Sequence, residues 1–298
     1  MANLRDIRNR ISSVNNTQQI TKAMKMVAAA KLRKAQDRMT ETRPYANKIE
    51  EVVGRLANSS SVSNPLLRTP EETKNILFIV VGSDRGLCGG FNNNLFKEVE
   101  NQLHSNFQEY LDNDSLSVLT IGKKATAHFG KRNYNVTDRF PGFFDDIKYD
   151  VTSDIMTTAT AHFIAGDYDE VYIAFNEFKS VIAQNRRVQK VLPLDPEKIA
   201  NSKSGDASEQ AIDYLYEPNS EAILDRLLPL HLNMQLWRAV LESNASEQGA
   251  RMTAMDSATE NAKDLEKELR LKYNQARQSA ITTEISEIVS GAQALSDN

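Results

Sequence analysis

Residues 76–94 read ILFIVVGSDRGLCGGFNNN. Six apolar residues are followed by a glycine-rich turn and then by what looks like a helix start. α/β proteins hold phosphates at such junctions, because a helix N-terminus offers free backbone N–H groups. The glycines stand at 82, 86, 89 and 90. A P-loop needs G-x-x-x-x-G-K-[ST] and the dinucleotide fingerprint needs G-x-G-x-x-G. From Gly82 neither spacing fits, and Phe91 and Asn92 follow Gly90 where a lysine and a hydroxyl residue are needed. We therefore read a tight strand-to-helix turn. Gly86, Gly89 and Gly90 supply positive φ and close backbone approach, and Asn92 or Asn93 caps the helix.

Outward from this turn, apolar runs at 116–121 and 171–175 read as further strands. Helical patterns at 91–111, 123–130 and 151–166 lie between them, and Val188 to Leu194 adds a candidate edge strand. Alternating β and α implies a parallel sheet covered by helices.

Both flanks have a different texture. The eight prolines (44, 65, 70, 141, 193, 196, 218 and 229) leave residues 1–43 and 230–298 free of them. Leu4, Ile7, Ile11, Val14, Thr21, Met24, Ala28, Leu32, Ala35 and Met39 recur at steps of three, four or seven, close to the period of a coiled-coil seam. The stripe can run on past Pro44 through Ile49, Val53 and Leu56, where a proline mid-helix should kink the helix or end one segment and begin another. From about Ser220 to Leu295 the chain is rich in strong helix formers. At 1.5 Å per residue, positions 230–295 span about 100 Å and 3–43 about 60 Å. Two apolar stripes this long at opposite ends of a chain pair most simply with each other. The expected architecture is α/β plus a long antiparallel coiled coil. The coil takes residues 1–58 and 219–298, a Rossmann-like foot takes 74–200, and linkers take 59–73 and 201–218.

Composition excludes several classes. The net charge of −4 over 298 residues gives no global pull toward nucleic acid. Residues 1–43 do form a basic arm, with ten Lys/Arg against Asp6, Asp37 and Glu41. It lacks interleaved aromatics, Tyr45 being the first, so an acidic protein partner explains it as well as nucleic acid does. Cys88 is the single cysteine, so no disulfide forms within the chain, which fits a reducing compartment. The start, MANLRDIRNR, has no apolar core of a secretory signal, and no window approaches ~18 uninterrupted apolar residues. Membrane association is expected through partners only.

Candidate chemistry is sparse. Cys88 has only Asp84 nearby and no convincing base. His104, His128, His162 and His231 show no metal-ligand spacing. Asp145 and Asp146 sit in a polar loop that reads as a solvated turn, and Trp237 reads as a packing residue.

Four stretches and a linking DYLYEP (213–218) carry a resemblance: NNTQQITKAMKMVAAAKLRKAQ (15–36), SDRGLCGGFN (83–92), SEQGARMTAMDSATENAKDL (246–265) and YNQARQSAITTEISEIVSGA (273–292). Together they strongly resemble the γ subunit of F-type ATP synthase, over essentially the whole chain. The resemblance implies a central-stalk rotor, present once per complex. Its coiled coil turns inside the ring of α and β subunits, and its foot rests on the membrane c-ring beside the ε subunit. Ion flow, proton or sodium, then drives the catalytic β sites through their cycle. It implies no catalytic residue, no cofactor, no metal and no nucleic acid. Met24 with Lys22 and Lys25 would meet the acidic lever segment of β, with Arg251 close by. Arg277 and Gln278 would hydrogen-bond a β loop. Tyr214, Tyr216 and Glu217 would face the c-ring and ε, and the glycine loop would shape the foot without a nucleotide. Gln19 departs from the lysine common in the family, and Cys88 alone excludes dithiol control of rotation. The start favours a bacterial protein at the cytoplasmic face of the inner membrane, peripheral to it, without direct insertion. Two other readings stay open on residues alone: an enzyme using the glycine loop for a nucleotide, and a coiled-coil scaffold that does not rotate.

Overall fold

The computed structural model describes residues 4–59, 64–68, 70, 72–132, 134–195, 217 and 219–296. In chain order the helices are α1 (Leu4–Ser59), α2 (Phe91–Asn106), α3 (Gln108–Asp112), α4 (Lys123–Gly130), α5 (Tyr149–Ala165) and α6 (Ser220–Ser296). The strands are β1 (Ile76–Val81), β2 (Leu116–Ile121), β3 (Asn135–Phe140), β4 (Glu170–Phe178) and β5 (Gln184–Leu192). The chain divides into two compact units, residues 1–28 with 252–298 and residues 29–251. Each contains part of α1 and part of α6.

The larger unit is built on one sheet of order β3-β2-β1-β4-β5. The first four strands are parallel, and β5 runs antiparallel on the edge beside β4. Every residue of β1 and β2 is buried, including Ser117 and Thr120 of β2, as strands covered on both faces must be. On one face Ile76, Phe78, Val80, Leu116 and Val118 pack against Leu95, Val99 and Leu103 of α2 and Phe129 of α4. On the other face Leu77, Ile79, Val81, Leu119 and Ile173 pack against α5 through Ile155, Met156 and Phe163. That same face also receives Ile49, Val53 and Leu56 of α1 and Leu224, Leu228, Leu232 and Leu236 of α6. The two end helices are thus part of the foot's own core.

Of the outcomes open at Pro44, the stripe runs on through Ile49, Val53 and Leu56 and the helix does not end there. The proline lies inside a continuous α1, with its ring toward solvent. An interior proline costs ~3 kcal/mol. Leu32, Ala35 and Met39 before it are buried against Leu241 and Ala245, and Ile49, Val53 and Leu56 after it are buried in the sheet core. Burial of each large side chain contributes about 1.5–3 kcal/mol, so the anchors on both sides outweigh the missing hydrogen bond. Pro229 is carried inside α6 in the same way, exposed between buried Leu228 and Leu232.

Three differences from expectation remain. The helical pattern over 91–111 splits at Phe107 into α2 and α3. Strand β3 has no apolar run, since NVTDRF forms an edge with one face in water. The edge strand expected at 188–194 is longer and starts at Gln184.

The smaller unit is the antiparallel coiled coil. Ile7, Val14, Thr21 and Ala28 recur every seven residues on α1, as do Met255, Ala262, Leu269 and Ala276 on α6. Val14 and Ala276 are half-buried and the other six are buried, which is the heptad seam of two supercoiled helices. Three polar links set the register: Arg8 Nη2 donates to Tyr273 Oη at 2.8 Å, the Thr21 and Thr259 hydroxyls bond at 2.8 Å, and Lys25 pairs with Asp256. Residues 277–293 of α6 are exposed on all sides.

Candidate functional site: the glycine loop and the partner-contact positions

In an open parallel sheet, ligands bind at the carboxyl ends of the strands where the strand order reverses. Here the reversal lies between β1 and β4, and the glycine loop leaves β1 beside it. Helix α6 occupies this position. Ser243 Oγ donates to the Val81 carbonyl at 3.3 Å, and Ser246 Oγ donates to the Asn176 carbonyl at 3.0 Å. One turn on, Arg251 Nη2 donates to the carbonyls of Arg85 (3.3 Å) and Gly86 (3.2 Å) and pairs with Glu247 at 2.7 Å. Ser243, Ser246, Glu247 and Arg251 are all buried. Serine hydroxyls and a guanidinium from the chain's own helix therefore take up the carbonyls on the α6 side of the crevice, while the loop's other side borders a cavity of about 410 Å³ toward Lys124, Lys131 and Arg132 of α4 and the turn after it.

The loop is held from inside by two side chains. Asp84 Oδ1 accepts from the backbone N–H of Lys123 (2.8 Å) and of Gly142 (2.7 Å), and Oδ2 accepts from Phe144 N–H (2.7 Å). One carboxylate thus ties together the segments that follow β1, β2 and β3. Asn92 turns back from α2: its Oδ1 accepts from Ser83 N–H at 3.1 Å, and its Nδ2 donates to Ser83 Oγ at 2.8 Å and to Cys88 Sγ at 3.4 Å. This corrects the expected cap, because Gly90 is the N-cap and no side chain caps α2. The glycine expectation is also revised. Positive φ falls on Gly89 and on Leu87, and not on Gly86 or Gly90. Gly82 is the position that needs to be small, since a Cβ there would lie 2.9 Å from Ala125 Cβ.

Burial sets the charge state of two groups at this loop. Burial pushes the Cys88 thiol up, and the Glu247 carboxylate adds to the shift. A thiol held that way is a weak nucleophile. Burial also lifts the Glu247 carboxyl above its ordinary range, against the pull of Arg251. Among the described residues there is no cluster of three or more side chains able to hold a metal ion, and no helix long and apolar enough to cross a membrane.

A family model described as ATP synthase matches residues 3–295. The ATP synthase gamma chain of Chlorobaculum tepidum is 49% identical over 296 residues, covering 99% of both chains. That of Salinibacter ruber is 45% identical over 307 residues and covers the whole of both. The chain belongs to the ATP synthase gamma-chain family. Among solved structures, a chain of the Tetrahymena thermophila mitochondrial ATP synthase central stalk and c-ring matches with a TM-score of 0.58 at 26% identity, over 80% of this chain and 99% of that one. A chain of the Euglena gracilis mitochondrial ATP synthase OSCP/F1/c-ring assembly matches with a TM-score of 0.71 at 20% identity, over 98% and 94%. At that identity the second match speaks for the fold alone.

The positions that the resemblance singles out in this gamma-family chain fall into separate surroundings. On α1, Lys22 is exposed, Met24 is half-buried, and Lys25 is tied to Asp256. Around them Ile20, Met26 and Val27 are each more than half exposed. Sequence reading missed these exposed residues, because they lie off the seven-residue stripe and carry no periodicity of their own. Arg251 is only 8% exposed and spends its donors on the glycine loop and Glu247. It is therefore brought together with Gly86, which the sequence did not suggest. Arg277 and Gln278 are exposed on α6, and Glu217 is exposed at a bend. Tyr214 and Tyr216 lie outside the described residues.

Proposed function

We infer that this chain is the central-stalk rotor subunit of an F-type ATP synthase, coupling ion flow through the membrane c-ring to the conformational cycle of the catalytic β subunits. The observation that carries the reading is full-length kinship with ATP synthase gamma chains, at 49% identity over 99% of both chains. The physical design agrees. An axle must resist twisting, and a two-stranded helical seam transmits torque through its packed side chains. Its partners are the α and β subunits, ε and the c-ring, with one copy per complex. It binds no nucleotide and performs no chemistry itself. It is peripheral to the membrane, at the cytoplasmic face of a bacterial inner membrane.

Residue roles follow the same reading. The end helices, residues 1–58 and 219–298, form the coil over 1–28 with 252–298, and their remaining turns pack on the foot, 74–200. Ile20, Met24 and Val27, one face of α1 at i, i+4 and i+7, form a small apolar bearing face toward the lever segment of β. Lys22 supplies the positive charge there, because Lys25 is already neutralised by Asp256. Arg277 offers a planar fork of donors to a β loop, with Gln278 beside it. Arg251 acts indirectly, by stiffening the loop of Gly86, Gly89 and Gly90 against α6. Tyr214, Tyr216 and Glu217 face the c-ring and ε.

Reconstitution tests the reading. Added to α and β subunits, a rotor raises the ATPase turnover of the ring, and a passive tether leaves it unchanged. Tight ATP or NAD binding by the isolated chain would instead favour a nucleotide enzyme.

A further inference from the structure

Between the sheet and the two helices laid on it is a second polar feature, which the rotor reading does not use. A cavity of about 210 Å³ lies in the larger unit, with Ile173, Phe175, Val191 and Met234 forming apolar wall and Glu50, Glu177, Glu242, Arg187, Arg238 and His231 lining the rest. Three carboxylates face two guanidiniums, and burial lowers the basicity of His231, so the lining carries a net negative charge at neutral pH.

Glu242 is the unusual member. It is 3% exposed, its Oε1 accepts from Arg238 Nε at 2.8 Å, and its Oε2 has no hydrogen-bond partner and no water-accessible surface. Gln235, also at the cavity, leaves its Oε1 unpartnered because its Nε2 is engaged with His231 Nε2 at 2.6 Å. Leaving a buried acceptor unmade costs about 1–3 kcal/mol, more when it is charged. Donors are what this wall lacks. Arg238 is the movable neighbour: its side chain is 53% exposed, and it lines both this cavity and an adjoining one of about 200 Å³ beside Met39 and Thr42. Turning Arg238 outward into water frees Oε1 and opens the carboxylate.

We propose that this cavity is a binding site for a primary alkylammonium ion, whose head replaces Arg238 on Glu242 and whose stem lies on Ile173, Phe175 and Met234. An ammonium brings three N–H donors and one positive charge to a lining short of both. The room suffices, since an apolar cavity of about 150 Å³ already admits benzene. The site lies wholly within the larger unit and is independent of the rotor reading.

The test is calorimetric titration of the full chain with n-butylammonium chloride, 1-butanol and Nα-acetyl-lysinamide. The expected result is saturable 1:1 binding of butylammonium, at least about tenfold tighter than butanol, the scale of one lost charge-assisted hydrogen bond. Glu242→Gln should weaken it about tenfold or more, and Arg238→Ala should tighten it several-fold by removing the competitor. Ala239→Leu, which intrudes on the cavity while leaving every charge in place, should abolish it, and circular dichroism checks that each variant is folded. The proposal is overturned by the absence of saturable heat up to about ten times a millimolar Kd, by unchanged affinity in folded Glu242→Gln, or by weaker binding in Arg238→Ala. Binding of the capped lysine alone would assign the cavity to a lysine side chain of another polypeptide and would equally sink the free-amine reading.

Discussion

Removing the Asp84 carboxylate tests whether one side chain holds the top of the sheet together. It is 8% exposed and accepts three backbone N–H bonds of 2.7–2.8 Å, from Lys123, Gly142 and Phe144. In Asp84→Asn the amide oxygen can keep the two bonds to Lys123 and Gly142, without the charge. The new NH₂ then points at the Phe144 N–H, donor against donor. Hydrogen bonds to charged groups contribute about 1.5–3 kcal/mol each, and neutral ones about half as much. Taken at about 1.5–2 kcal/mol per bond, the low end of that range, losing one bond and halving two costs about 3–4 kcal/mol, and Asp84→Ala, which orphans all three donors, about 5–6 kcal/mol. Urea unfolding followed by fluorescence of the single tryptophan, Trp237, reads the larger unit. With a slope of about 2–3 kcal/mol per molar urea, the midpoint should fall by about 1–2 M for Asp84→Asn. Hydrogen exchange adds a local readout. The amides of Lys123, Gly142 and Phe144 should lose protection first, while Gly122, which donates to the Phe140 carbonyl, serves as internal control. A midpoint shift below about 0.3 M in Asp84→Ala, or unchanged exchange at those three amides, would refute the role assigned to this carboxylate.

Other consequences can be checked on the same chain. Arg251→Met leaves the Glu247 carboxyl buried without its cation and frees the Arg85 and Gly86 carbonyls, at a cost of about 3–5 kcal/mol by urea titration; Glu247→Gln in the same chain should recover part of it. Burial lowers the His231 pKa from its ordinary 6.5, with Glu50 opposing, so the unfolded chain binds that proton more readily. Its contribution to stability is therefore present above about pH 6.5 and lost as the pH falls. Calorimetric melting between pH 7.5 and 5 should show this decline, and His231→Gln should flatten it. Met24→Lys adds a charge at the proposed lever contact, and in reconstituted complexes should lower the protons pumped per ATP hydrolysed while assembly is kept. An unchanged ratio counts against that assignment.

Much of the fold was legible because its periodicities are strong. The apolar runs 76–81 and 116–121, the second interrupted by Ser117 and Thr120, read as strands, and every residue of both is buried. The seven-residue recurrence from Ile7 to Ala28 marked a seam, and six of the eight positions in the two helices are buried. What failed was local. Pro44 broke no helix because residues far away in sequence bury both of its flanks. Strand β3 was invisible because an edge strand with one face in water needs no apolar run. Asn92 looked like a cap, yet its side chain reaches Ser83, nine residues back.

The sequence by itself determined the class of the fold: two long end helices with apolar stripes that pair, and a β–α alternation between them. Those signals are short-range, carried by residues three, four, seven or two apart. Tertiary structure alone decided the fate of the glycine loop. Nothing near residue 86 announces that Arg251, 165 residues later, will donate to its carbonyl, or that Ser243 and Ser246 will satisfy the ends of β1 and β4. A buried carbonyl needs a donor, but any donor will do, so which one arrives depends on how the chain folds back on itself.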